Sequence, residues 1–471
     1  MNLDLSREAL LRASSRAAEL YTEVYADLEQ RAVSPAASRE QMATLFADGI
    51  GEEGIGLDAA LEEFAENVLP NCMGTPHPMY FGLVNSSPLP AGPLADLLVS
   101  ALNNNGGSFH QSPAISAMEN MVVAEFARLC GLEQNVSGMI VPGGTLANLH
   151  GLMLARQLHF PEWQEEGPTA LKGRPLVYAS DQAHFCNDRA TRAIGIGKQG
   201  FVSIPSVGRG EIDVDALDER VQKDRQAGHL PFAVVANGGT TGTGAIDDLD
   251  AVAGVCQQHG LWMHVDACYG GGALLLDPPL ANFAGIARAD SIAIDPHKWF
   301  FIPMTAGLFL TKHDALALET FDIAAPYIPN DGSIDAFRLG FPTSRRSSGL
   351  TVWMTLRAHG WRTIRESVAR NITLIRLLES LLQEAGFRVL EAGQLSVACV
   401  RFEPAGMSKE QTDALQKRIT KSIVDSGRSW FSNVTHGGVM WMRMNLVNIH
   451  TREHHVRDLV DLITKATKES V

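Results

Sequence analysis

Between residues 138 and 311 the chain alternates short, almost wholly apolar runs with stretches of helical periodicity, and that alternation restricts the fold more than any other feature. The runs are GMIVPGG (138–144), PLVYAS (175–180), FAVVANGG (232–239), LWMHVDA (261–267), SIAID (291–295) and AGLFLT (306–311). Helical patterns follow several of them: TLANLHGLMLARQL, AHFCNDRATRAIG and DLDAVAGVCQQHG. A strand with no polar side needs cover on both faces. The expected fold is therefore α/β, a mostly parallel central sheet sandwiched by helices and joined by right-handed crossovers. Residues 1–76 read as a helical segment that closes in the turn-rich NCMGTPHP. Residues 77–365 read as the large domain and 366–471 as a smaller C-terminal α+β domain. In that last part the helix NITLIRLLESLLQEAG precedes the strand-like FRVLEAGQLSVACVRFEP, the helix KEQTDALQKRITKSIVDSG, the strand VMWMRMNLV and a final helix from Thr451.

Composition narrows the function. Thirty-nine Lys and Arg against 53 Asp and Glu give a formal net charge of −14, a poor match for phosphate backbones or anionic membranes. Neither nucleic acid nor a membrane is an expected partner. No apolar stretch is long enough to span a bilayer. The opening MNLDLSREALLRASSRAAELYTEV reads as an amphipathic helix, without the basic-then-apolar order of a secretory signal. The six cysteines (Cys72, Cys130, Cys186, Cys256, Cys268 and Cys399) are scattered with no CxxC pair. That argues for reduced thiols and a cytoplasmic location, and against a metal site.

Five turns carry candidate chemistry, each at the carboxyl end of an expected strand. SIAIDPHKWF (291–300) ends a buried strand in a turn holding His297 and Lys298. A lysine there, desolvated by Trp299 and Phe300, can lower its pKa and form a Schiff base with an aldehyde. Taken alone, it reads more readily as an exposed loop lysine. LWMHVDACYGGG (261–272) runs straight into Asp266, at the position where open α/β sheets bind ligands; a helix cap is the plainer reading. VPGGTLANL (141–149) places two glycines and Thr145 before a helix, which suits a phosphate, although Thr145 could simply be an N-cap. SDQAHFCNDRA (180–190) puts His184 in a strand-to-helix turn, and ANGGTTGTGAID (236–247) closes another strand. A literal G-x-G-x-x-G, GIGKQG (195–200), follows a helix and precedes a strand, the reverse of a dinucleotide site. Together the five turns would bring an anion cradle, a carboxylate, an imidazole and a lysine to one crevice, and that inventory matches pyridoxal 5'-phosphate.

With SDQAH, HVDA and PHKW in this order, the sequence resembles the group II pyridoxal-phosphate-dependent amino-acid decarboxylases, which include aromatic-amino-acid, glutamate and cysteine-sulfinate decarboxylases. The resemblance runs from HPMYFGLV (77–84) to RRSSGLTVW (345–353). It implies the type I fold of pyridoxal-phosphate-dependent transferases and a homodimer with shared active sites, the N-terminal segment interlocking the two subunits. It also implies roles for single residues. Lys298 is the Schiff-base lysine, Asp266 the partner of the ring nitrogen, and His184 the residue stacked on the ring that helps place the substrate carboxylate. Gly144 and Thr145 hold the phosphate, with Asp295 and His297 beside it; Thr241 orients groups around the cofactor. Arg443 in WMRMNLV matches an arginine that can anchor a substrate carboxylate.

Tyr327, in the Pro-, Gly- and Asn-rich DIAAPYIPNDGSID (322–335), matches a loop tyrosine that protonates the substrate carbon after carbon dioxide leaves. Members with phenylalanine there tend to be aldehyde synthases, so tyrosine favours plain decarboxylation of an L-amino acid to its amine over oxidative decarboxylation–deamination. Two substitutions depart from the family's usual residues: Cys268 replaces an alanine beneath the ring, and Asp295 replaces an asparagine. The substrate wall corresponds to Leu83, Val84, Asn105 and Gly107, with Phe109 nearby. It holds no Lys or Arg for a side-chain carboxylate, which leaves aromatic, acidic and small polar amino acids open.

Overall fold

The computed structural model describes residues 4–132, 136–322, 334–391 and 393–470. Seven strands form the central sheet: β1 (Ser137–Val141), β2 (Pro175–Ser180), β3 (Phe201–Ile204), β4 (Leu230–Asn237), β5 (Trp262–Asp266), β6 (Ser291–Ile294) and β7 (Gly307–Thr311). Their order is β1-β7-β6-β5-β4-β2-β3. β7 is antiparallel to both β1 and β6, and every other pairing in the sheet is parallel. The expected mostly parallel sheet is present, with AGLFLT as its one reversed strand.

The apolar runs have a simple cause. Alternate residues of one strand point to opposite faces, and both faces are covered. Ile140, Tyr178, Val234, Val265 and Ile292 enter one hydrophobic core. Their strand neighbours Met139, Val141, Val177, Val235 and Ala293 enter a second core on the other face. With two apolar faces the period of two disappears from the sequence.

Among the helices are α1 (Arg7–Ala26), α2 (Ala91–Leu102), α3 (Gly144–His159), α4 (Cys186–Ala193) and α5 (Ser348–Glu384). α5 crosses the domain boundary placed after residue 365. Its interruption falls earlier, at Gly360 (φ 71°, ψ 159°), a left-handed φ that glycine adopts without strain. The C-terminal lobe is a four-stranded sheet of β8 (Arg388–Val389), β9 (Val397–Arg401), β10 (Ser432–His436) and β11 (Val439–Asn445), ordered β8-β9-β11-β10. Its core joins Val400, Met442 and Met444 to Leu415, Ile419, Leu459 and Ile463 of the helices Lys409–Asp425 and Glu453–Ser470. The partly buried β10 escapes the sequence reading, because SNVTH has neither an apolar run nor a clean alternation. GIGKQG leads through a single 3-10 turn into β3, as its position suggested.

One buried ion pair ties the large domain together. The Arg345 guanidinium pairs with Glu119 and donates to the carbonyls of Gly106 (2.6 Å) and Ile140, while Ile140 N–H donates to Glu119 Oε1 (2.9 Å). The two side chains are 3% and 5% exposed, so removing one partner strands a charge without water. Arg345→Leu is expected to destabilise the fold by about 3–5 kcal/mol. A large fall in the thermal midpoint should show this, and adding Glu119→Gln should restore part of it.

Candidate active site

Because β1, β2, β4, β5 and β6 run in one direction, their carboxyl ends meet at one edge. A cavity of about 320 Å³ opens there. Its lining includes Gly144, Thr145, His184, Thr241, Asp266, Cys268, Asp295, His297 and Lys298. The residues expected to hold the cofactor are thus brought together from five strand ends distant in sequence.

The head of α3 supplies the anion cradle. Gly143 (φ 91°) is its N-cap, and no side chain caps the helix, so Thr145 is not the cap it could have been. The first-turn N–H groups therefore face the cavity with the partial positive charge of the helix start. A Cβ on Gly144 would lie 2.2 Å from Cys268 Sγ and 2.8 Å from Asp295 Oδ2, so any side chain there would fill the cradle.

Asp266 ends β5 and is 7% exposed. Its Oδ2 accepts from Asn148 Nδ2 (2.9 Å) and Asn187 Nδ2 (3.0 Å), and its Oδ1 from Cys268 N–H (3.3 Å). Burial opposes the charge, but the nearby Lys298 ammonium and these donors outweigh it and hold the carboxyl below its usual value. Oδ1, with a single long hydrogen bond, keeps room for another donor. Asn148 and Asn187 escaped the sequence reading. The signal was there: each lies three residues beyond a residue already singled out, Thr145 and His184, on the helix that residue leads into. Asn148 Oδ1 in turn meets His264 Nε2 (2.8 Å), and His264 Nδ1 meets Ser291 Oγ (2.7 Å).

Lys298 corrects an expectation. Its pKa is raised, not lowered: burial disfavours the ammonium, but Asp295 Oδ2 at 2.9 Å more than compensates. Trp299 and Phe300 point into the core, where Trp299 stacks on Tyr269 and Phe300 meets Phe126 edge-on. Asp295 is accordingly paired with the lysine. His297 is fixed by Nδ1 against Ala306 O at 2.7 Å. His184 Nδ1 accepts from Cys186 N–H (3.3 Å), which leaves Nε2 to carry the proton of the neutral ring; burial lowers its pKa and favours that neutral form.

The substrate wall lies elsewhere. Leu83, Val84, Asn105, Phe109 and Arg443 are not among the residues lining this cavity. Asn105 Oδ1 accepts from Gly107 N–H and Arg345 N–H, both at 3.0 Å. Leu83 and Phe109 are exposed, and Val84 is buried. Arg443 is buried and donates through Nε to Thr241 O (2.8 Å) and through Nη1 and Nη2 to Leu83 O (both 3.3 Å). It braces the rim by holding Leu83 in a left-handed conformation (φ 47°). Tyr327 lies outside the described residues.

An uncapped helix head for a phosphate, an ionised carboxylate with a free lone pair for a ring nitrogen, and a lysine in the same cavity fit pyridoxal phosphate, and the fold with this site defines a pyridoxal-phosphate enzyme. The comparisons agree. Residues 40–403 match the pyridoxal-dependent decarboxylase conserved domain, and the chain belongs to that family. Aromatic-L-amino-acid decarboxylase of Bacillus atrophaeus is 28% identical over 477 residues, covering 100% of this chain and 98% of the relative. Acidic amino acid decarboxylase GADL1 of Mus musculus is 30% identical over 375 residues, covering 78% and 68%. The crystal structure of Oryza sativa TDC with PLP and tryptamine superposes with a TM-score of 0.94 at 25% identity, covering 100% of this chain and 99% of that one. The chain is a pyridoxal-phosphate-dependent carboxy-lyase of the type I fold. No helix among the described residues is long and apolar enough to cross a membrane.

Gly144→Ala is expected to abolish cofactor binding, read as loss of the visible absorbance of the purified protein. Gly254→Ala, where an added Cβ meets nothing within 4 Å, should leave it intact.

Proposed function

We propose that the chain converts an L-amino acid to the corresponding amine and carbon dioxide, with Lys298 as the cofactor lysine. The observation that carries this is the meeting of Lys298, Asp266 and the uncapped head of α3 in one cavity. The bound cofactor supplies an electron-withdrawing ring conjugated to the substrate nitrogen. The protein's part is to keep that ring protonated and the substrate oriented. Asp266, held ionised by two amides, retains a proton on the ring nitrogen through its open Oδ1. Gly144 and Thr145 bind the phosphate, His297 packs beside them, and Thr241 contributes from the rim. His184, neutral with its proton on Nε2, would pack against the bound cofactor and orient the substrate carboxylate. That orientation selects loss of carbon dioxide over loss of a proton.

Tyr327 is the proposed proton donor to the substrate carbon, a role that rests on the family resemblance. The alternative is an aldehyde synthase on the same scaffold, and the tyrosine at position 327 speaks against it. The relatives are named for aromatic, acidic and diamino acids, and the substrate class stays open among aromatic, acidic and small polar amino acids. We further infer a cytoplasmic homodimer. The six cysteines are free, and α1 and α2 expose Leu10, Leu11, Leu94, Leu97, Leu98 and Leu102, a face suited to a second copy.

A panel of amino acids assayed for amine, carbon dioxide, aldehyde and oxygen uptake tests the reaction. Amine in step with carbon dioxide is expected, whereas aldehyde in step with oxygen would sink the proposal. Lys298→Ala should lose both the visible band and turnover. Tyr327→Phe should keep the band while amine formation falls by about 10²-fold or more. Sedimentation should show a dimer, and a fully active monomer would contradict the shared site.

A further inference from the structure

The cavity contains two carboxylates, and the lysine has chosen between them. Asp266 is saturated on one oxygen by two amides and touched on the other by a backbone N–H. Asp295, directly after β6, has no such donors among the described residues. Its Oδ2 takes Lys298 Nζ at 2.9 Å, with His297 Nε2 farther off at 3.8 Å, and its Oδ1 is buried without a hydrogen-bond partner among the described residues. The backbone fixes the pair, since Lys298 N–H donates to Asp295 O (2.9 Å) in the turn that joins them. The other titratable groups on the cavity wall are His184, Cys186, Cys268 and Tyr269; burial raises both thiols and the phenol, so none of these offers the lysine a competing anion at neutral pH.

We propose that Asp295 is a positioning residue that holds Lys298 as an idle ammonium in the cofactor-free enzyme and accepts its proton when the amine engages a carbonyl. An ammonium has no lone pair with which to attack. In the transfer the N–H bond of Lys298 breaks and an O–H bond forms on Asp295 Oδ2, turning an ion pair into a neutral amine and a neutral carboxyl. The neutral carboxyl no longer sets a negative charge beside the head of α3, which is left for a phosphate. This rests on reading Lys298 as the cofactor lysine, and it explains why aspartate is tolerated so near an anion cradle.

The test is reductive methylation of the full chain, stripped of cofactor, with formaldehyde and cyanoborohydride across a pH series. Labelling at Lys298 and at the half-buried control Lys312, whose Nζ donates to the main-chain carbonyls of Ala287 and Arg288, is read by peptide mass. In the wild type Lys298 should resist labelling until well above the pH at which Lys312 reacts. In Asp295→Asn and Asp295→Ser its midpoint should move down by about one pH unit or more, at least about tenfold more label at fixed pH, with Lys312 unchanged. Cofactor added back should also load faster onto both variants, followed by the visible band. Folded variants, judged by an unchanged thermal midpoint, that label Lys298 with the wild-type profile would overturn the proposal. The labelling arm uses no cofactor, so its outcome is separate from Lys298→Ala, which tests the cofactor-lysine assignment itself.

Discussion

A carboxylate buried at the end of a parallel strand stays ionised only when donors replace the water it has lost, and the site depends on that condition being met at Asp266. Unpaired, a buried charge costs several kcal/mol. Here α3 sends Asn148, α4 sends Asn187, and the turn after β5 sends the Cys268 N–H. Hydrogen bonds to a charged group contribute about 1.5–3 kcal/mol each, enough together to hold the anion. The support is continued inward, from Asn148 to His264, to Ser291 on β6, and to Trp262 Nε1, which donates to the same Ser291 hydroxyl at 2.9 Å. Two helices and two strands are thereby registered against one another around a single oxygen, so the packing of the sheet and the acidity of the site are one problem.

The same cavity shows how environment assigns different tasks to chemically identical groups. Asp266 ends β5 and Asp295 directly follows the adjacent β6, both in the cavity of the same lysine. One is crowded with neutral donors and has a fixed charge; the other has a mobile cation as its main partner and a vacant oxygen. A group with fixed partners suits a constant electrostatic duty, and a group whose chief partner can leave suits a duty that changes during the cycle. The distinction arises from which helix heads and turns reach each strand end, and not from the residue type.

Much of this was legible in the sequence, and what was not has physical reasons. The central strands could be read because burial on both faces writes itself as continuous apolar runs, and the strand-end residues because chemistry-bearing side chains interrupt those runs abruptly at Asp266 and Asp295. The reversal of β7 could not be read: LFLT buried on both sides looks the same in either direction. Gly360 gave no sign that the helix would break there and yet resume beyond it. The pKa of Lys298 was misjudged because apolar neighbours in sequence, Trp299 and Phe300, were assumed to be neighbours in space. Three residues of turn aim them into the core and leave an aspartate beside the amine.

Substrate identity stayed hidden for a related reason. Among the described residues Lys298 is the only lysine or arginine lining the cavity, and it is paired with Asp295. Arg443, the nearest candidate to read a substrate carboxylate, spends its donors on Thr241, Gly242 and Leu83. Leu83, Phe109 and Phe341 stand 48%, 50% and 68% exposed in the single chain. Large apolar side chains so exposed are what a second copy would cover on the proposed dimer. The cofactor-binding chemistry is written at strand ends that fold within one chain. On the proposed dimer, specificity would fall to surfaces joined by assembly, where spacing along one sequence has little to say.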